Sequence, residues 1–104
     1  MKDKIDHFKK AMEGKGQKKE QVSRSLDQLG QELAGASDYP GERRVEAAIA
    51  DSVAELENHE KEEEGRVAAI WRKLSEEVQH WEMEYPRITK ILGDIAHGLA
   101  NSGI

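Results

Sequence analysis

Between residues 67 and 85 the chain sets Val67, Ile70, Trp71, Leu74, Val78, Trp81 and Tyr85 at steps of three and four. That spacing draws one apolar stripe down one side of a helix. Pro86 interrupts the pattern, and Ile88, Ile91, Leu92, Ile95 and Leu99 begin a second stripe. Both tryptophans and five of the seven isoleucines lie between residues 70 and 104, so the best core material sits in this last third. The stretch predicts an all-α fold built around its own two helical segments.

The same period recurs upstream. Val22, Leu26, Leu29 and Leu33 step by four, three and four inside a helix over 18–34, a narrow coiled-coil-like seam that Gly35 can end. Val45, Ala48, Ile49, Val53 and Leu56 share one side of a helix over 42–57. The next nine residues, NHEKEEEGR, hold no large apolar side chain. A boundary near Asn58 is expected there, because Asn58 can cap a following helix whose first turns hold Glu62, Glu63 and Glu64 at the positive end of its dipole. One uninterrupted helix over 42–84 is the rival, since the stripe keeps phase across the gap. Two Tyr-Pro dipeptides, Tyr39-Pro40 and Tyr85-Pro86, mark turns, each with a proline that fits the first turn of the next helix. At the far end, Gly103 is placed to take the left-handed position after the last helix, with Ile104 returning onto Leu99 as a structural C-cap.

Residues 3–13 form a shorter pattern, with Ile5, Phe8 and Met12 on one face and Lys4, Lys9 and Lys10 around it, before Gly14 and Gly16 break it. The expectation is a short basic helix or extension over 1–16, loosely docked on a helical domain over 17–104. The fold expected is therefore an antiparallel helical bundle or hairpin of three long segments plus a short N-terminal helix.

Charge and residue usage narrow the function. Residues 1–24 carry eight basic and four acidic groups, while the rest carry eight basic and 17 acidic ones, for a net charge of -5. Nucleic-acid binders set basic charge beside stacking aromatics. Trp71 and Trp81 lie instead in the acidic part, so nucleic acid is not an expected partner. Cysteine is absent, which excludes disulfides, thiolate catalysis and thiolate metal sites. No apolar run approaches membrane-spanning length and the N-terminus has no uninterrupted apolar segment, so a cytoplasmic location is expected and a membrane is not. Leu, Ile, Val and Phe number only 20 of 104 residues. So thin a core suggests burial shared between two copies, and a homodimer is expected.

Candidate chemistry is sparse. Glu77-x-x-His80 and Asp94-x-x-His97 have the carboxylate-x-x-His spacing of di-iron bundles. Such sites need their ligands pointing inward. Val78 and Trp81 mark the buried direction, so Glu77 flanks it and His80 faces away, and Asp94 and His97 stand similarly to Ile95 and Leu99. Surface residues are the better reading, and no metal, cofactor or catalytic residue is expected. His7 and His59 read as solvent-facing, and the acidic run Glu60–Glu64 as a solvated face. No Gly-rich phosphate loop, Ser-His-acid set or zinc signature is present.

The residues Trp81-Glu82-Met83-Glu84-Tyr85-Pro86-Arg87-Ile88, followed by Ile91-Leu92, Ile95-Ala96, Leu99-Ala100-Asn101 and Gly103-Ile104, resemble an uncharacterised bacterial family of short helical proteins. Its members, classed as a domain of unknown function, end in Phe-Glu-x-x-His-Pro-x-Leu and, after a helix, Asn-Met-Gly-Ile. Its early Leu-x-x-Leu-x-x-Glu-Leu is similar to residues 26–33 here. Trp81 replaces Phe, Tyr85 replaces His and Ser102 replaces Met. The resemblance implies helical architecture and the C-terminal cap, and it implies no activity.

The function expected is a non-enzymatic protein–protein interaction or scaffold module acting as a homo-oligomer. Leu26, Leu29, Leu33, Trp71, Leu74, Val78 and Trp81 are the candidate interface. Two alternatives stand beside it: a peripheral membrane or acidic-partner adaptor working through the basic helix over 1–13, and a small metal-binding helical protein.

Overall fold

The computed structural model describes residues 1–14, 20–36, 38–58 and 65–103. Among these described residues five α-helices follow one another: α1 Lys2–Gly14, α2 Glu20–Gly35, α3 Glu42–Asn58, α4 Arg66–Glu77 and α5 Pro86–Asn101, with a 3-10 turn, Gln79–Trp81, between the last two. They run to 13, 16, 17, 12 and 16 residues, so the expected three long segments and one short helix are in fact five helices of comparable size. Each packs chiefly against two others. Helix α1 meets α2 and α3, α3 meets α4, α4 meets α5, and α5 meets α2, closing a circuit around one core. The radius of gyration of 12.7 Å is that of a filled domain of this length, about 13 Å.

Helix α1 is not loosely docked. Ile5, Phe8 and Met12 are all buried in the common core, and the Phe8 ring stacks on Trp71 with centroids 5.8 Å apart and planes 8° from parallel. The basic face settles on the acidic body through Lys4–Glu46 at 3.0 Å, His7–Glu57 at 2.9 Å and Lys9–Asp27 at 2.9 Å. These pairs are largely exposed and each is worth at most about 1 kcal/mol. The apolar face holds the helix, since burying a side chain such as Phe8 contributes roughly 1.5–3 kcal/mol.

Trp71 of α4 is fully buried, and its indole Nε1–H donates to Ser52 Oγ at 2.9 Å. The Ser52 hydroxyl in turn donates to the Ala48 carbonyl, one turn back in α3, at 2.7 Å. A polar atom in the core is thereby satisfied without water.

Residues 67–85 do not form one helix. Helix α4 stops at Glu77, and the chain tightens into i→i+3 bonds, Trp81 N–H to the Val78 carbonyl at 3.0 Å and Glu82 N–H to Gln79 at 3.0 Å. Val78, Trp81 and Tyr85 keep their apolar spacing through this change because three-residue turns suit the same period. Tyr85, at φ -134° and ψ 62° and so outside the helical region that a following proline disfavours, is the residue just before α5, and Pro86 opens that helix. Pro40 differs from that expectation. The Gly41 carbonyl accepts the first helical bond of α3, from Val45, so Pro40 lies outside the helix.

The break expected near Asn58 falls where α3 ends, but the next helix begins only at Arg66, after Gly65. Asn58 is thus the last residue of α3. The proposed first-turn positions of Glu62, Glu63 and Glu64 lie outside the described residues, as do His59 and the rest of the acidic run.

Helix α5 approaches α2 closely at Gly98, where a Cβ would stand 2.9 Å from Val22 Cγ2. It ends with Gly103 left-handed at φ 72° and its N–H on the Ala100 carbonyl at 3.2 Å, the inner bond of the cap. Leu99 is fully buried, and Ile104 lies outside the described residues.

Phe8→Ala should therefore lower stability by roughly 3–5 kcal/mol through the cavity left beside Trp71, whereas Lys4→Ala should change it by less than about 1 kcal/mol. Urea unfolding of both variants checks this. A Phe8→Ala midpoint equal to the parent's would show that α1 adds nothing to the core.

Candidate functional site

Six of the seven side chains marked as candidate interface are covered within the single chain. Leu26, Leu29 and Leu33 of α2, Trp71 and Leu74 of α4, and Val78 are all buried in the core. Only Trp81 reaches the surface, half-buried in the 3-10 turn and packed against the core.

What surrounds Trp81 is an aromatic corner that joins two distant turns. The Tyr39 ring, buried in the α2–α3 turn, meets Trp81 edge-on at 6.0 Å and Tyr85 edge-on at 4.9 Å. His80 lies against the Trp81 ring at 4.0 Å. Edge-to-face pairs of this kind contribute roughly 0.5–1.5 kcal/mol beyond burial. Met83, in the turn between Trp81 and Tyr85, is 95% exposed and is the only exposed large apolar side chain among the described residues. Asp38, Glu82 and Glu84, in these two turns, are exposed, and Glu42, the first residue of α3, is partly so.

Gly41 makes the corner possible. The Tyr39 ring folds back over it, so that a Cβ there would stand 2.8–2.9 Å from Cε2, Cζ and the hydroxyl oxygen. That hydroxyl is buried and, among the described residues, is the one buried side-chain polar atom without a hydrogen-bond partner. Burial, with Tyr85 beside it, raises the Tyr39 phenol above the usual tyrosine range.

The metal candidates do not converge. Glu77 pairs with Arg44 of α3, while His80 lies on Trp81. Asp94 lines a polar groove with α2, and His97 bonds Asn101 at 3.1 Å. Among the described residues no group of three His, Asp or Glu is placed to hold a metal ion. His7 is taken up by Glu57.

A second feature is a groove of about 530 Å³ between α4 and α5. Ala68, Ala69, Gly93, Ala96 and Ala100 line it, together with Arg72, Glu76 and His97. The small residues Gly93, Ala96 and Ala100 of α5 thus face Ala68 and Ala69 of α4 across the groove.

Sequence reasoning passed over Tyr39, Met83 and Tyr85 as site residues. The available signal was the pair of Tyr-Pro dipeptides, whose tyrosines the fold brings into contact. No family model, curated protein or solved structure matches the chain. Among the described residues no helix is long and apolar enough to cross a membrane.

Tyr39→Phe should leave stability unchanged or raise it by about 1 kcal/mol, because it removes a buried hydroxyl that has no partner. The raised phenol pKa fixes the pH dependence. Up to about pH 10 both folded and unfolded tyrosine are neutral; above it the unfolded chain ionises first. The parent should therefore lose stability as pH climbs from about 10 toward the folded pKa, and Tyr39→Phe should lose less. Thermal melts on both sides of that range check the sign, and an identical alkaline loss in both proteins would contradict it.

Proposed function

We propose that the chain is a non-enzymatic protein–protein interaction module whose contact surface is the aromatic corner. The observation that carries this reading is the placement of Met83, fully presented to solvent between half-buried Trp81 and Tyr85. Tryptophan and tyrosine recur at binding hot spots, and methionine adapts its shape to varied partners. The remaining large apolar side chains of the described residues are spent on the core or packed against it. The resemblance of residues 81–104 to the bacterial family implies the same helical architecture and adds no chemistry to it.

A photo-crosslinking residue at position 83 should capture a discrete partner in cells, and one at exposed Ala50 on α3 should not. Equal yields from the two positions would sink the proposal.

Self-association is a second reading, and the groove between α4 and α5 favours it. Its alanines and glycines permit close helix approach. Arg72 and Glu76, four residues apart, have no ion-pair partner among the described residues. A two-fold pairing of α4 helices would set each Arg72 against Glu76 of the second copy. Light scattering should then give twice the 11.7 kDa chain mass, and Ala69→Arg should return it to the single-chain value. A single-chain mass for the parent at all concentrations rules this reading out.

The membrane-adaptor alternative asks α1 to present Ile5, Phe8 and Met12, all three of which are buried. That leaves it the least supported of the three.

A further inference from the structure

The aromatic corner has a definite electrostatic character. Asp38 and Glu42 flank the Tyr39–Gly41 turn, and Glu82 and Glu84 flank Met83. None of the four has an ion-pair partner among the described residues. The nearby cations are largely engaged: Arg44 with Glu77, and Arg87 with Glu32 at 3.6 Å. Arg43, beside Glu42 in the sequence, has no ion-pair partner among the described residues. The corner therefore combines an apolar knob, two half-buried aromatic side chains and a rim of four carboxylates without ion pairs among the described residues. The unpartnered Tyr39 hydroxyl sits within the same ring cluster.

We propose that this corner docks a basic peptide segment of a partner protein, one apolar side chain seated on Met83, Trp81 and Tyr85 with lysine or arginine on either side of it. The inference rests on the interaction reading above and adds the partner's chemistry. Cationic flanks complement Glu82 and Glu84 directly, and the faces of Trp81 and Tyr85 attract cations through their ring quadrupoles. The same charges exclude a second copy from this surface. Two identical corners in two-fold contact would press carboxylate rims together, and like charges across an interface are costly. An acidic or phosphorylated segment meets the same repulsion. Helix α1 is not a rival occupant, because its apolar face is buried elsewhere in the fold.

The probes are three short synthetic peptides that share one central leucine and differ in its flanks: lysines, serines or glutamates. Each is titrated into the full-length chain while the Trp81 indole N–H and the Met83 methyl are followed by NMR. The lysine peptide should shift both signals to saturation and bind at least about tenfold tighter than the glutamate peptide, with the difference shrinking as salt is raised. Glu82→Lys with Glu84→Lys, both at exposed positions that leave the core untouched, should invert the preference. Equal or tighter binding of the serine or glutamate peptide at the corner overturns the charge assignment and leaves the interaction reading standing. No shift with any peptide overturns the inference, and the crosslinking at position 83 then judges the interaction reading separately. Signals that move with protein concentration alone would assign the corner to a second copy and overturn it as well.

Discussion

The Trp71 indole is the contact on which the other helices depend. It projects from α4, stacks its face on Phe8 of α1 and hands its N–H to Ser52 of α3. One side chain thus locks three helices with two kinds of force. The stack is broad and tolerant of small shifts, while the hydrogen bond is directional and fixes the depth and rotation of the ring. Ser52 can play its part because it sits mid-helix with its hydroxyl returned to the Ala48 carbonyl, which leaves its oxygen free to accept. Removing that hydroxyl would leave the indole N–H buried without a partner, at a cost of roughly 1–3 kcal/mol.

Helix α5 closes what Trp71 opens. It lies between α2 and α4, and it reaches α2 at a glycine, Gly98, where any side chain would collide with Val22. The circuit of five helices follows from this economy. A chain with only 20 Leu, Ile, Val and Phe residues cannot wrap several layers, but a ring in which each helix gives one narrow stripe to a shared centre needs no more. Uneven charge then becomes useful: the basic N-terminal helix returns onto acidic partners on α2 and α3, a modest contribution that also fixes which way α1 faces.

Much of the secondary structure was legible from period alone, because the stripes of α2, α3 and α5 are those of amphipathic helices wherever they pack. Three things were not legible, each for a physical reason. Ile5, Phe8 and Met12 read the same on a frayed helix as on a docked one; only the presence of Trp71 opposite them decides it. The end of α4 at Glu77 leaves no mark in the pattern, since the 3-10 turn that follows keeps Val78 and Trp81 at a three-residue step. The aromatic corner depends on two turns 46 residues apart meeting, and no local pattern encodes that meeting.

The candidate interface drawn from the sequence fell on the core for a related reason. A helix stripe of Leu and Trp has the same composition whether it faces another helix of its own chain or a second molecule, so periodicity detects burial without saying by what. What separates the two cases is the apolar surface that remains once the chain has satisfied itself. Here the core takes Leu26, Leu29, Leu33, Trp71, Leu74 and Val78, and the α4–α5 connection is too short to bury what it carries. Val78 turns inward, Trp81 and Tyr85 lodge halfway against Tyr39, and Met83, at the apex between them, has no direction left except solvent. Its exposure is thus a geometric consequence of closing the ring of helices, and it leaves a single apolar apex standing between the exposed carboxylates of Glu82 and Glu84.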